Sequence, residues 1–228
     1  MTTSPGGIRQ VRLGSRDLER SAAFYGDLLG FDEVPSAPGT RRFAAGAVRV
    51  LVTEVGPGGD LGGWVNDDLQ GGIRHFGMKV TGIDARIRDL AAAGVTVLSP
   101  PADVLGGVRI AFFLDPDGAR LEFVQGNLNY QHVYAPDLAA AEALVQPGER
   151  PRFDHVAITV EDLPAALDLF DYEVIGEIRH HDDPRGFLMT YLQAGPAVLE
   201  VFSFDVPVRP RPLEVPGVLG FQGFEVGR

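Results

Sequence analysis

The chain has 228 residues, of which 45% are hydrophobic and 22% charged, a balance typical of a soluble globular protein with one large domain or two small ones. It contains no apolar run of the roughly 18 residues that a membrane span needs. The net charge of −11 argues against a nucleic-acid partner, and the absence of cysteine excludes disulfides, thiol catalysis and Cys-ligated zinc. The first ten residues, MTTSPGGIRQ, lack the apolar core of a signal peptide, so we expect a cytoplasmic protein without membrane contact.

Three segments along the chain begin alike, with a short strand pattern, a small or polar break, and then apolar residues at helical spacing. They cover residues 8–31, 73–94 and 153–172. The aligned first strands place Gln10, His75 and His155 at the same position. Asp17 and Asp162 stand where a helix would begin, because a carboxylate there can accept hydrogen bonds from free backbone N–H groups.

Each of these segments continues into strand-like sequence that contains a tight turn marked by Gly or by Asp-Pro-Asp-Gly. The strand-like stretches are residues 41–55, 108–125 and 186–204. The repeating module is therefore strand–helix–strand–strand–strand, present three times. Repetition of this kind has to be identified before the fold, because one module alone leaves a sheet face uncovered.

The connections between the modules suggest a division of the chain. We expect paired modules one and two in residues 1–126, a linker with a short helix (PDLAAAEALV) in 127–152, and module three in 153–228. The last segment includes a proline-rich tail, which favours an extended conformation. Its end, GVLGFQGFEVGR, looks like the first strand of a fourth module.

Two carboxylates stand inside otherwise apolar strands at matching places in their modules. Glu122 lies in the last strand of module two and Glu200 in the last strand of module three, and each follows a first-strand histidine, His75 or His155. A carboxylate in such a strand is unfavourable unless it is paired or binds a metal. Matching Gly-Ala turns place Val50 at the equivalent position of module one.

This donor set has two interpretations. Imidazole and carboxylate together suit divalent iron, manganese, nickel, cobalt or zinc, and two histidines with one carboxylate are the ligands of non-haem iron oxygenases. A strand histidine can equally be a hydrogen-bonded core residue, and a strand glutamate can face water. The recurrence of the pair at equivalent positions favours the metal site.

Two basic residues share the strand faces that carry the candidate ligands. Arg12 lies two residues after Gln10, and Lys79 lies on the face of His75, because alternate residues of a strand point the same way. Either could bind an anionic or enolate oxygen, or be a solvated charge at a sheet edge. We take Arg12, Lys79 and Glu122 as candidate catalytic residues.

The three βαβββ modules, the H-x-x-x-x-V-x-D-L pattern of His155–Leu163 and the D-P-D-G-x-x-x-E-F pattern of Asp115–Phe123 resemble the vicinal oxygen chelate superfamily. That superfamily includes glyoxalase I, bleomycin-resistance proteins and extradiol dioxygenases. The resemblance implies an α+β fold in which repeated βαβββ modules pair into cupped mixed β-sheets with the site on the concave face. It identifies the fold better than the reaction, since one scaffold serves many chemistries.

The resemblance also implies which residues hold a divalent metal. First-strand His or Gln and last-strand Glu supply the ligands in metal-dependent members, so modules one and two would contribute Gln10, His75 and Glu122. Val50 departs from the pattern, because it removes the fourth ligand.

The pairing of module three leaves two further arrangements open. Pairing with its symmetry mate in a homodimer would place His155 and Glu200 of both chains on the axis, since one module cannot bury its own sheet. Pairing with module two would instead unite His75, Glu122, His155 and Glu200.

Two functions fit this resemblance. The first is a metal-dependent enzyme, a lyase, isomerase or dioxygenase, that chelates adjacent oxygens of a small oxygen-rich or aromatic metabolite. The alternative is a metal-free, drug-sequestering binding protein whose dimeric cleft holds an aromatic compound. We expect a small-molecule ligand and a homodimer in both cases.

Overall fold

The computed structural model describes residues 6–227, so the first residues of the N-terminal segment and Arg228 lie outside the description. The helices are α1 (Leu18–Ala22, continued by a π-helical turn over Ala23–Leu28), α2 (Ile83–Ala92), α3 (Pro136–Ala143) and α4 (Leu163–Phe170). The strands are β1 (Ile8–Ser15), β2 (Asp32–Val34), β3 (Thr40–Ala45), β4 (Val48–Glu54), β5 (Gly72–Lys79), β6 (Ala102–Asp103), β7 (Arg109–Leu114), β8 (Arg120–Gln125), β9 (His132–Val133), β10 (Arg152–Thr159), β11 (Val174–Arg179), β12 (Leu188–Ala194), β13 (Ala197–Ser203) and β14 (Gly220–Val226). Over residues 6–227, no helix has the length and apolar character to cross a bilayer.

The three predicted modules are present, and the α+β fold with cupped mixed sheets is confirmed. Asp17 caps α1 by accepting hydrogen bonds from the backbone N–H groups of Glu19 and Arg20. Asp162 caps α4 in the same way through the N–H of Ala165. The local signals that predicted the helix starts therefore act as expected.

The modules pair differently from the expected combination of one with two. Modules two and three form one nine-stranded sheet in the order β6-β7-β8-β5-β10-β13-β12-β11-β9, joined by antiparallel pairing of β5 with β10. Module one forms a five-stranded sheet, β14-β1-β4-β3-β2, in which the C-terminal strand pairs with β1. The backbone hydrogen bonds at the free edge of β1 are thus made by β14. The pairing of β5 with β10 is supported by Phe76 and Phe153, whose rings stack at 5.2 Å.

The β5–β10 pairing contains two irregularities that bear on the site. The register shifts between Phe153 and His155, which leaves Asp154 as an extra residue, and shifts again so that Arg74 is unpaired beside His75. A β-bulge bends the strand and re-aims side chains. His155 and His75 therefore each follow a bulged residue.

The main core lies between the sheets and their helices, with Tyr25, Phe113 and Phe123 among its fully buried rings. The proline-rich tail packs on the other face of the five-stranded sheet, where a Cβ on Gly14 would lie 1.9 Å from the Val218 carbonyl oxygen. Glu214 of the tail pairs with Arg12 at 2.9 Å. The tail thus covers the face of module one that corresponds to the open face of modules two and three.

Candidate metal centre

Four adjacent strands of the nine-stranded sheet bring the two His/Glu pairs together. The order β8-β5-β10-β13 carries Glu122, His75, His155 and Glu200, one on each strand. In the ladders, Gly77 lies opposite both Glu122 and His155, while Ala157 lies opposite both His75 and Glu200. Modules two and three are therefore related in register, and the two small residues leave room for the four functional side chains.

The donor atoms of His75, Glu122 and His155 lie at the separations that a metal ion requires, and Glu200 lies slightly farther away. The two Nε2 atoms of His75 and His155 are 3.1 Å apart, and Glu122 Oε2 lies 3.2 and 3.0 Å from them. Glu200 Oε2 lies 3.7 and 3.5 Å from the same nitrogens. Bonds of about 2.1 Å to one ion place neighbouring donors roughly 3.0–3.4 Å apart. The residues present therefore fit a divalent cation, with His75, Glu122 and His155 forming the tightest group among the described residues.

The ionisation of these groups is strongly perturbed. Burial disfavours a charge on His155, but hydrogen bonds to Asp154 and Glu122 raise its pKa well above the ordinary value. Burial lowers the pKa of His75 to about 4. Burial opposes ionisation of Glu122, yet the two histidines lower its pKa to about 2, whereas burial raises the pKa of Glu200 to about 7.

The two histidines differ in what holds their second nitrogen. Asp154, which is the extra residue of the bulge, accepts from Nδ1 of His155 at 3.0 Å, so that Nε2 is the nitrogen that faces the centre and would bind a metal once its proton is displaced. Arg120 Nη2 lies 3.3 Å from Nδ1 of His75 and can only donate, which leaves the proton of neutral His75 on Nε2. Coordination by His75 through Nε2 therefore requires that proton to move and the Arg120 contact to break.

The remaining sequence candidates are divided between the two sheets. Lys79 is 4% exposed and lines the same cavity as the four donors. Gln10 and Arg12 lie on β1 of the five-stranded sheet, and over residues 6–227 the cavity lining includes neither of them. The composite of Gln10, His75 and Glu122 is therefore not formed, and Arg12 instead pairs with Glu214.

The assignment of Val50 as the counterpart of Glu122 was wrong. In the ladder Glu122 lies opposite Gly77, two residues after His75, and the corresponding residue of module one is Leu51, opposite Arg12. Val50 points into the core and is fully buried. On the other side of β1, Gly223 of β14 lies opposite Arg12. It therefore occupies the position that His155 holds opposite Gly77 in the nine-stranded sheet. The five-stranded sheet thus lacks both a carboxylate and an imidazole at the equivalent places.

The donors open into a cavity of about 210 Å³ with mostly apolar walls. The apolar side chains that line it come from modules two and three, among them Val108, Ile110, Phe112, Phe187, Met189 and Phe202. Sequence reasoning missed four residues of this site with carboxylate or guanidinium side chains: Asp68, Arg120, Glu142 and Asp154. Only Asp154 carried a local signal, since it precedes a predicted ligand.

Gly77 is expected to be essential for the placement of His155. A Cβ at this position would lie 2.1 Å from Cε1 of the His155 ring, so Gly77→Ala should displace the imidazole and lower metal affinity by roughly 10- to 100-fold. Gly58→Ala, in an exposed segment with no atom within 4 Å of the added methyl, is the matched control. Metal competition titrations of both variants test this, and equal affinities would contradict it.

The comparisons with known proteins agree with this fold. The sequence profile of the Glyoxalase/Bleomycin resistance protein/Dioxygenase superfamily matches residues 7–123, just over half of the chain. No curated protein shows significant sequence similarity to it.

Solved structures give the same fold. Glyoxalase I from Zea mays superposes with a TM-score of 0.63 at 18% identity, covering 88% of this chain and 69% of that chain. A mutant of the same glyoxalase I gives a TM-score of 0.64 at 17% identity over 88% and 70%. At these identities the likeness concerns the fold alone.

Proposed function

The chain belongs to the glyoxalase/bleomycin resistance protein/dioxygenase superfamily, and from that premise we propose that it is a metal-dependent enzyme acting on a small oxygen-rich or aromatic molecule. The observation that supports this most is the convergence of His75, Glu122, His155 and Glu200 in the lining of one cavity. A divalent ion of iron, manganese, nickel, cobalt or zinc would act there as a Lewis acid toward two adjacent oxygens of the substrate. The reaction class is a lyase, isomerase or dioxygenase reaction.

The protein's own groups have separate tasks in this proposal. Glu200, whose pKa burial raises to about 7, is the carboxyl suited to take or return a proton near neutral pH. Glu122 stays ionised beside the two histidines. The buried ammonium of Lys79 stabilises negative charge on a substrate oxygen, and the apolar walls exclude water, which strengthens these interactions.

The alternative is a metal-free binding protein for aromatic compounds. The aromatic walls of the cavity favour it, since the rings of Phe112 and Phe202 lie 5.2 and 5.9 Å from the His75 ring and could stack on a flat ligand.

A cytoplasmic location and a homodimer also remain proposals. The sequence predicted a dimer because one module cannot bury its own sheet. That reason does not apply to module three, because its strand β10 pairs with β5 of the same chain.

Metal loading followed by ligand binding separates the two functions. Apoprotein titrated with Co(II) should bind about one equivalent per chain, and catechol, a probe with two adjacent oxygens, should then change the visible Co(II) spectrum and bind only the loaded protein. Calorimetry gives the catechol affinity in both forms. Equal catechol binding with and without metal, or no stoichiometric Co(II) binding, would reject the enzyme in favour of the metal-free binder.

A further inference from the structure

The connection between modules two and three forms part of the cavity, although its sequence predicts only a linker with a short helix. Strand β9 and helix α3 lie within residues 127–152, and β9 adds to the edge of the nine-stranded sheet beside β11. Glu142, in the last turn of α3, lines the cavity together with Lys79 and Asp154. The connection thus contributes a carboxylate to a site built otherwise from the two modules.

Contacts within the connection fix the position of this carboxylate. The Tyr130 hydroxyl donates to Glu142 Oε2. The Tyr130 ring packs edge-on against Tyr191 of β12 at 5.1 Å, and Gly176 provides the space, since a Cβ there would lie 2.6 Å from the Tyr130 ring. Leu138 of α3 packs against the apolar cluster of module three. Glu142 is therefore held in place before any ligand enters.

The charges around the cavity are unbalanced toward the negative. Two Lys or Arg residues line the cavity: Arg120, which is already paired with Asp68 at 2.7 Å, and Lys79. The other carboxylates that line the cavity are Glu122, Glu142, Asp154 and Glu200. They outnumber the positive charges even when a divalent ion is added. Burial raises the pKa of Glu142, and Asp154 acts in the same direction, as expected where a further anion is disfavoured.

We propose that Glu142 forms a specificity subsite that favours substrates with an ammonium or another strong hydrogen-bond donor at the end remote from the chelated oxygens, and that disfavours substrates with a carboxylate there. This proposal rests on the proposed function, since the metal centre fixes which end of the substrate enters first. The neutral, apolar middle of the substrate packs against walls such as Phe112 and Phe187. Charge complementarity of this kind sets specificity more than overall affinity.

Three catechols with the same chelating end test the subsite: dopamine, 4-ethylcatechol and 3,4-dihydroxyphenylacetate. Calorimetry on zinc-loaded protein should give a dissociation constant for dopamine about tenfold lower than for the carboxylate, with 4-ethylcatechol between them. Glu142→Gln keeps an acceptor for Tyr130 but removes the charge, so the ratio should fall to within about threefold. Glu177→Gln is the matched control, because Glu177 lies on β11 outside the cavity and contacts the Tyr134 hydroxyl at 3.0 Å.

The outcomes separate this proposal from the one on which it rests. A dopamine preference lost in Glu142→Gln and kept in Glu177→Gln, with equal zinc content in all three proteins, supports the subsite. Equal binding of the three probes, tighter binding of the carboxylate, or a preference that survives Glu142→Gln overturns the subsite and leaves the metal-dependent function standing. Failure of all three catechols to bind the zinc-loaded protein overturns the proposed function and the subsite with it.

Discussion

Replacement of His155 with alanine is expected to lower the affinity for a divalent metal by about 100-fold or more. The Nε2 atom of His155 lies 3.1 Å from that of His75 and 3.0 Å from Glu122 Oε2, so its loss opens the tightest part of the donor set. Its Nδ1 is held by Asp154, which makes His155 the donor best oriented for coordination. Competition with a chromophoric chelator measures the change.

The two histidines are expected to contribute unequally. His75→Ala should reduce affinity less than His155→Ala, because coordination by His75 must first break the contact between its Nδ1 and Arg120. Gln10→Ala is the matched control, since Gln10 holds the equivalent first-strand position in the five-stranded sheet. Circular dichroism shows whether each variant is folded. Wild-type affinity in folded His155→Ala, or a comparable loss in Gln10→Ala, would refute the assignment of the centre to modules two and three.

The four donors could be predicted from the sequence because the chain repeats itself. In a strand, alternate residues share a face, so an aligned His in two first strands and an aligned Glu in two last strands had to lie on corresponding faces. The strands of one module also neighbour each other, since β5 pairs with β8 and β10 with β13. These local and short-range rules place each His near its own Glu. They do not say which modules share a sheet, because that depends on the strand that satisfies each free edge.

The error at Val50 has a specific physical origin in hairpin geometry. Register in a hairpin is set by the length and type of its turn. Ala45 pairs with Val48 across a two-residue turn, as Ala194 pairs with Ala197, whereas Leu114 pairs with Arg120 across a longer loop. The sequence alignment matched the two-residue turn of module one to the longer loop of module two. It therefore displaced the counterpart of Glu122 by one residue, from Leu51 to Val50, and selected the opposite face of β4.

The polar surroundings of the centre could not be read from the sequence. Asp154 points into the site only because a bulge re-aims it, and a bulge is a property of strand pairing. Arg120 and Glu142 reach the cavity from a strand start and from a connection, so neither shares a repeat position with a predicted ligand. Such residues follow from tertiary packing, which local patterns do not encode.

Metal affinity is expected to rise about tenfold for each pH unit near neutrality. The pKa of His155 lies above its ordinary value, so in the metal-free protein His155 carries a proton on Nε2, the same atom that would bind the metal. The metal must displace this proton, and lower pH therefore weakens binding. His75, whose pKa burial lowers to about 4, is already neutral and adds no such dependence. Calorimetry in buffers of different ionisation enthalpy should detect release of about one proton, with a further fraction from Glu200 near its pKa of about 7.

The raised pKa of His155 also makes the stability of the metal-free protein depend on pH, in the direction opposite to that of metal affinity. A histidine whose pKa is raised in the folded state stabilises the protein fully below its unfolded pKa of roughly 6.5, and this stabilisation disappears as pH rises through the folded pKa. The metal-free protein should therefore lose stability across the pH range in which it gains metal affinity. Asp154→Asn, which removes a hydrogen bond that raises the His155 pKa, should reduce both dependences together. A pH-independent affinity with no proton release would show that His155 is neutral before metal binds, and that Asp154 does not hold the charge on its ring.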